Sequence, residues 1–248
     1  MYKILKRTKE VLILTGALAA MMFATSSVNA GEGYRGFSIG IIAGDATVDT
    51  HGKEHEKGTH EVGYPGGATD DMNTASVSKD VDIGSVFVEY SFGNILAMTV
   101  GAEYIPGTHS IGTESRTDTA VATAKGGAEN DTGTRSAAAD ISNLVTLYFE
   151  PGIQFNDWIG VYAKAGAMGM QIDPITTLPT SSYDGKKVVG GVYGGGIKVN
   201  TPIGLFLKLE TIKVEFPNIK LESRTGNKNI IEATPDMDST RLAIGWNF

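Results

Sequence analysis

The sequence predicts an all-β protein: an eight-stranded antiparallel transmembrane up-and-down β-barrel. Three observations predict it. After residue 30, apolar residues recur at every second position with no sustained 3.6-residue period, the mark of strands with two unlike faces. The connections between these segments are short and long in turn, as in a membrane barrel. No apolar run reaches the ~20 residues of a membrane helix, so a closed barrel is the remaining way to span a bilayer.

Residues 1–30 read as a signal peptide. Lys3, Lys6, Arg7 and Lys9 precede an apolar run, Val11 to Ala24, and a small polar stretch ends in Val28-Asn29-Ala30. That order is basic region, apolar region and small-residue cleavage site, with cleavage expected after Ala30. Residues 31–248 then form a single barrel domain. Removing Lys3, Lys6, Arg7, Lys9 and Glu10 from totals of 21 Lys+Arg and 28 Asp+Glu leaves 17 against 27, a balance of −10. An acidic chain is poorly suited to phosphate, so no nucleic-acid partner is expected. The absence of Cys excludes a lipid-bearing Cys at the cleavage point, disulfides, Cys metal sites and Cys nucleophiles.

Eight alternating segments follow. Phe37, Ile39, Ile41 and Ala43 carry the apolar face of the first, Val86 to Phe92 the second, and Leu96 to Tyr104 the third. Val145, Leu147 and Phe149 mark the fourth, and Ile159 to Ala167 the fifth. Val189 to Val199 form the sixth, Ile203 to Leu209 the seventh, and Leu242, Ile244, Trp246 and Phe248 the eighth. Ile42, Phe87, Val192 and Phe206 interrupt the polar face, and Pro151 predicts a bulge or bend. Tight turns are expected near Gly93-Asn94, Asn156-Asp157 and Asn200 to Pro202. Long polar loops are expected at 50–76, 113–138, 174–184 and 218–235.

Residues that oppose each other in a hairpin share a face. Pairing Phe92 with Leu96, Phe155 with Ile159 and Val199 with Ile203 keeps the apolar faces together and gives three-residue turns. Glu150 then falls opposite Lys164 on the polar face. Aromatic residues gather at the short-turn ends (Tyr34, Phe37, Tyr90, Phe92, Phe155, Trp158, Phe206, Trp246 and Phe248), as an interfacial girdle would. The polar face is rich in Gly, which suits a narrow lumen better than a water-facing wall.

These residues resemble a known family. Gly160 to Gly169 (GVYAKAGAMG), Gly191 to Val199 (GVYGGGIKV) with Leu205 to Glu210 (LFLKLE), and Arg241 to Phe248 (RLAIGWNF) are similar to the outer-membrane β-barrel domain family, the OmpA-like, OmpX-like and opacity-protein barrels. The resemblance covers the whole mature chain. It implies residence in the cell outer membrane of a Gram-negative type of envelope. It also implies an insertion signal, read by the outer-membrane assembly machinery, in Ile244, Trp246 and Phe248. OmpA-type chains can continue into a peptidoglycan-binding domain; this chain stops at its barrel, and peptidoglycan tethering is not expected.

Eight charged residues fall on the lumen face: Glu89, Glu103, Glu150, Lys164, Lys198, Lys208, Glu210 and Arg241. They form either a paired plug or the lining of a narrow ion path, and the plug is favoured because a small barrel's interior is filled by side chains. His51, His55 and His60 lie among Glu54, Glu56 and Glu61; only a helix would bring His51 and His55 together on a metal, and Gly52 and Gly58 argue against one. The acidic clusters Asp70-Asp71 and Glu129-Asn130-Asp131 lack EF-hand spacing. His109-Ser110 is the one candidate for outer-rim hydrolysis, and adjacent strand residues point to opposite faces. The Gly-rich run 190–196 lacks the Lys-Ser/Thr of a phosphate loop. No catalytic residue, metal site or cofactor is therefore expected. The predicted function is that of a monomeric, non-enzymatic envelope or surface-interaction barrel in contact with outer-membrane lipid. A narrow passive pore for ions or small hydrophobic solutes is the alternative, and a lipid-modifying or proteolytic enzyme the least favoured.

Overall fold

The structure is a computed structural model and describes residues 35–56, 71–118, 133–176, 182–224 and 229–248. The leader with Ala30, and also Tyr34, His60, Asp70 and residues 129–131, lie outside the described residues. The elements are β1 (Gly36–Glu56), β2 (Asp71–Gly93), β3 (Leu96–Asp118), β4 (Gly133–Gln154), β5 (Ile159–Thr176), β6 (Lys186–Asn200), β7 (Leu205–Glu215), β8 (Ile219–Glu222) and β9 (Ile230–Asn247). Each pairs antiparallel with its neighbour, and β1 pairs with β9 to close the sheet. Both β7 and β8 pair with β9, so they are two parts of one stave, divided at Phe216-Pro217-Asn218. The chain is a closed, eight-staved, all-antiparallel barrel.

The expected alternation sets which face is inside. Phe37, Ile41, Val88, Tyr90, Leu147, Leu207, Leu209, Leu242 and Ile244 point outward and are exposed. Ser38, Glu89, Thr146, Lys208 and Arg241, on the alternate positions, are buried inside. The four interruptions of the polar face are lumen packing. Ile42, Phe87, Phe206 and Ala243 form one apolar cluster, and Val192 belongs to another. Glycine makes room for the rings: a Cβ on Gly40 would strike the Phe87 ring, and one on Gly245 the Phe206 ring. Phe206 thus leaves the expected outer girdle, because its position shares a face with Lys208. Phe37, Tyr90, Phe92, Phe155 and Trp158 do lie exposed at the short-turn end. Trp246 and Phe248 are partly covered, the Phe248 ring stacking 6.1 Å from that of Phe37.

Register differs from expectation at two turns. Phe92 faces Met98, and Val199 faces Leu207, so these hairpins are displaced by two and four residues with face parity preserved. Ile203 belongs to the turn rather than the strand, where Thr201 N–H donates to the Leu205 carbonyl at 2.8 Å. The third turn holds as predicted: Phe155 N–H donates to the Ile159 carbonyl, and Asn156 Oδ1 accepts from the N–H groups of Trp158 and Ile159. Pro151 makes no bulge. Its partner in β3 is Met98, and the β4–β5 register is the same on both sides of it, Phe149 with Ala165 and Gly152 with Tyr162. The bulge lies instead near Asn143, the one described non-Gly residue at positive φ (53°), where the register with β5 slips by one.

The largest departure concerns the long loops. Residues 50–56, 71–76, 113–118, 133–138, 174–176, 219–222 and 230–235 are strand, because the β1–β2 and β3–β4 hairpins extend far past the apolar belt. The β1–β2 and β3–β4 extensions are held by their ladders, with Met72 to Ser76 and Thr113 to Ser115 exposed on both faces.

Candidate functional site: the charged lumen and the apolar storey above it

The lumen has two storeys. In the lower one, successive charges alternate in sign along one chain of contacts. Lys208 Nζ lies 2.6 Å from Glu89 Oε1 and 2.7 Å from Glu150 Oε2. Lys164 Nζ lies 3.0 Å from Glu150 Oε1 and 2.8 Å from Glu210 Oε2. Arg241 donates from Nε and Nη2 to Glu210 Oε1, and from Nη1 to Glu103 Oε1 at 2.7 Å. Seven of the eight expected residues therefore join end to end, from Glu89 to Glu103. The eighth, Lys198, is buried with its Nζ 4.0 Å from the Phe206 ring centroid. The seven sum to −1, and Lys198 makes the set neutral.

Each charge sits where its strand register places it. Glu210 and Arg241 oppose one another across β7 and β9, which accounts for their two-pronged contact. Glu150 and Lys164 are flanked on both sides by the continuous β4–β5 register, so Lys164 reaches Glu150 across the ladder and Glu210 across the lumen. A buried carboxylate or ammonium is tolerated only when paired and hydrogen-bonded, and this chain gives each interior charge an opposite neighbour.

Three residues join the network without having been assigned to it from sequence. Tyr148 Oη donates to Glu89 Oε1 at 2.8 Å, and Tyr162 Oη to Glu210 Oε2 at 2.9 Å. Ser85 Oγ donates to Glu103 Oε1 at 2.6 Å. Lys164 lies 4.0 Å from the Tyr148 ring and Lys208 4.6 Å from that of Tyr162, so each phenol packs a cation on its face. The signal was parity: Tyr162 is two residues from Lys164 on the same face, and an aromatic residue there fills the lumen.

The upper storey is apolar. Val48, Ile83, Ile105, Ile141, Met168, Met170, Ile212, Val214, Phe216 and Met237 belong to one buried cluster inside the barrel. On the outside, at the same heights, Asp45, Asp80, Asp82, Glu215 and Asp238 are exposed and Lys213 is partly so. Tyr193 Oη donates to Glu215 Oε1 at 2.6 Å, and Lys213 Nζ lies 3.4 Å from Asp236 Oδ2. The sidedness of the wall has reversed. Among the described residues, the inward side chains of the lower storey are mostly paired charges and those of the upper storey are hydrocarbon.

The remaining candidates do not converge. His51 and His55 are on a strand, where four residues separate side chains by roughly 13 Å along one face. His51 Nδ1 lies 2.9 Å from Ser76 Oγ. No group of three His, Cys, Asp or Glu side chains able to hold a metal occurs among the described residues. The His109 ring lies 3.3 Å from the Pro106 carbonyl, while Ser110 is exposed and opposes Asp140 in the ladder.

No family model matches the chain, and no curated protein matches it. Among solved structures it is similar to the attachment invasion locus protein Ail of Yersinia pestis. One Ail structure, a complex with the heparin analogue sucrose octasulfate, has TM-score 0.36 and 11% identity over 84% of this chain and 99% of that one. A second Ail structure gives 0.34 and 13% over the same shares. A FadL homologue of Pseudomonas aeruginosa gives 0.22 and 9% over 86% of this chain and 90% of that one.

Proposed function

We propose that the chain is a non-enzymatic, monomeric integral protein of the outer membrane. A plugged barrel anchors it, and a protruding barrel with two long β-hairpins is carried outside for envelope structure or surface interaction. The reversal of sidedness carries this reading. A wall that is apolar outside and charged inside suits hydrocarbon, and the same wall with acids outside and Ile, Val and Met inside suits water. The outward apolar stretch of β3, Leu96 to Tyr104, rises roughly 25 Å along the strand, or ~20 Å along the membrane normal at a ~40° tilt. That is close to the ~25 Å apolar band of a membrane barrel.

In this reading the leader is cut after Ala30, and the apolar face of β9 with Ile244, Trp246 and Phe248 is presented to the assembly machinery. Fractionation with N-terminal sequencing tests it. The expected result is a heat-modifiable membrane protein starting at Gly31, and recovery from the soluble periplasm would overturn it. Deleting Phe248 should lower insertion while export continues. A plugged lumen also predicts no single-channel conductance from the refolded protein in planar bilayers. Steady conductance would favour the ion-path reading instead.

A further inference from the structure

The floor of the lumen, at the short-turn end, gathers hydrogen-bond donors that the ion-pair chain does not use. Among the described residues two buried side-chain nitrogens have no hydrogen-bond partner, Gln154 Nε2 and Asn200 Nδ2. Both flank Lys198. Gln154 of β4 pairs with Gly160 of β5, and Gly160 pairs with Lys198 of β6, so the glutamine and the lysine share a rung with only a glycine between them. Asn200 follows Lys198 by two positions and is buried on the same face. Across the other ladder Lys198 directly opposes Lys208. Like charges placed directly opposite one another are destabilising.

The same rung has a hole in it. Ala97, Gly152 and Gly160, on three adjacent strands, turn little or no side chain inward. They border a cavity of about 20 Å³, whose lining is completed by Thr99, Glu150, Gln154, Tyr162 and Lys198 and, in the wall itself, by Ile153 and Val161. That volume admits one particle about the size of water. The hydroxyl and carboxylate oxygens around it already have partners. Thr99 Oγ1 lies 2.8 Å from Ser91 Oγ, and Tyr162 Oη donates to Glu210. Lys208 Nζ lies 2.9 Å from Glu150 Oε1 and 2.7 Å from its Oε2, and Lys164 Nζ lies 3.0 Å from Oε1. The groups left to serve an occupant are the Gln154 amide N–H groups, beside the Lys198 ammonium. Such an occupant must accept hydrogen bonds, and the ammonium favours a negative one.

We propose that this floor cavity binds one halide ion of chloride size, held by Lys198 and the Gln154 amide with the Asn200 amide beside it. A monatomic ion fits the space, whereas phosphate, sulfate or a carboxylate does not. Negative charge beside Lys198 also offsets its repulsion of Lys208 on the same rung. An ion that binds only the closed barrel stabilises it, so halide concentration sets part of the stability of the charged storey. The site lies inside the barrel and does not depend on what surrounds the outer wall.

Refolded 15N-labelled protein in detergent micelles is titrated with sodium chloride. A parallel titration, at matched sodium concentration, uses sodium isethionate, a monovalent anion too large for the cavity. Saturable shifts of the Gln154 and Asn200 side-chain amides are expected with chloride and not with isethionate. Lys198→Met should weaken the apparent chloride affinity at least tenfold. Gln154→Leu removes the donor while keeping every charge, and should weaken it severalfold; it carries the test if Lys198→Met does not yield a heat-modifiable barrel. Crystals of the unmodified protein grown in sodium bromide give a direct readout, because bromide scatters anomalously and water does not. An anomalous peak is expected beside Lys198 Nζ and Gln154 Nε2. Density there without an anomalous signal would make water the only occupant and overturn the proposal. So would the lack of a saturable chloride shift, equal shifts with isethionate, or an unchanged chloride affinity in Gln154→Leu.

Discussion

The lower and upper halves of this barrel are built on one continuous ladder with opposite chemistry. Along β1, Phe37, Ile39, Ile41 and Ala43 face out below, while Ala46 and Val48 face in above and Asp45 and Thr47 face out. Along β7 the same exchange occurs between Leu209 and Ile212. Backbone bonding is indifferent to the change, because antiparallel pairing uses N–H and C=O groups common to every residue. On the proposed membrane reading, what differs is the solvent each half meets: the lower half has bilayer outside and an ion-pair chain inside, and the upper half is held by burial of hydrocarbon, as in an ordinary water-soluble barrel. The halves should therefore fail for different reasons.

The sharpest way to break the comparison is at Arg241, which alone bridges Glu103 and Glu210 at the top of the charged storey. Arg241→Met leaves two buried carboxylates facing each other without their shared cation. It should cost about 3–5 kcal/mol, read from urea unfolding in lipid. A loss below about 1 kcal/mol would mean that water already screens the lumen. In the upper storey Met168 is fully buried, and Met168→Ala should cost about 2–5 kcal/mol by cavity formation. That loss should be insensitive to salt and should appear first as faster amide exchange in β5 and its neighbours above the charged layer.

Outward positions sharpen the boundary. If the outward apolar belt meets lipid as proposed, Leu147→Arg on that belt should destabilise by about 2–4 kcal/mol. Thr240→Arg, one outward position above Leu242, should cost about 0–1 kcal/mol. Equal effects at the two sites would remove the reason for placing the membrane edge between them. Inside the lumen the test is the coupling of Glu150 and Lys164, which share Lys208 and Glu210 with other partners. A double-mutant cycle with Glu150→Gln and Lys164→Met should give an interaction of about 0.5–3 kcal/mol. A value near zero would mean that Lys164 is held by Glu210 alone.

Much of this was legible in residue order. Period-two patterning, alternating turn lengths and the Asn156 turn were enough to set face parity throughout the lower half, and parity places Glu150, Lys164, Glu210 and Arg241 indoors. The upper half was legible too, in a different form. Apolar residues pass from odd to even positions between Ala43 and Ala46, and again between Leu209 and Ile212. Beyond Val48 even that signal ends: residues 50–56 hold no apolar residue at either parity, so nothing in their order marks them as strand.

The sequence by itself determined the strand period, the inward set of charges and the neutrality of that set, because side-chain direction in a strand depends only on counting by two. Only the tertiary structure decided which carboxylate meets which cation. Lys208 and Glu89 are 119 positions apart in sequence, and Arg241 and Glu103 are 138 apart. Such partners are set by barrel closure and stagger, which are global properties of the sheet. The tertiary structure likewise decided that β2 and β3 part above Val86 and Tyr104. The two register slips in β3, between Ile105 and Thr108 and between Ser110 and Thr113, lie in the part of the strand where that pairing is lost.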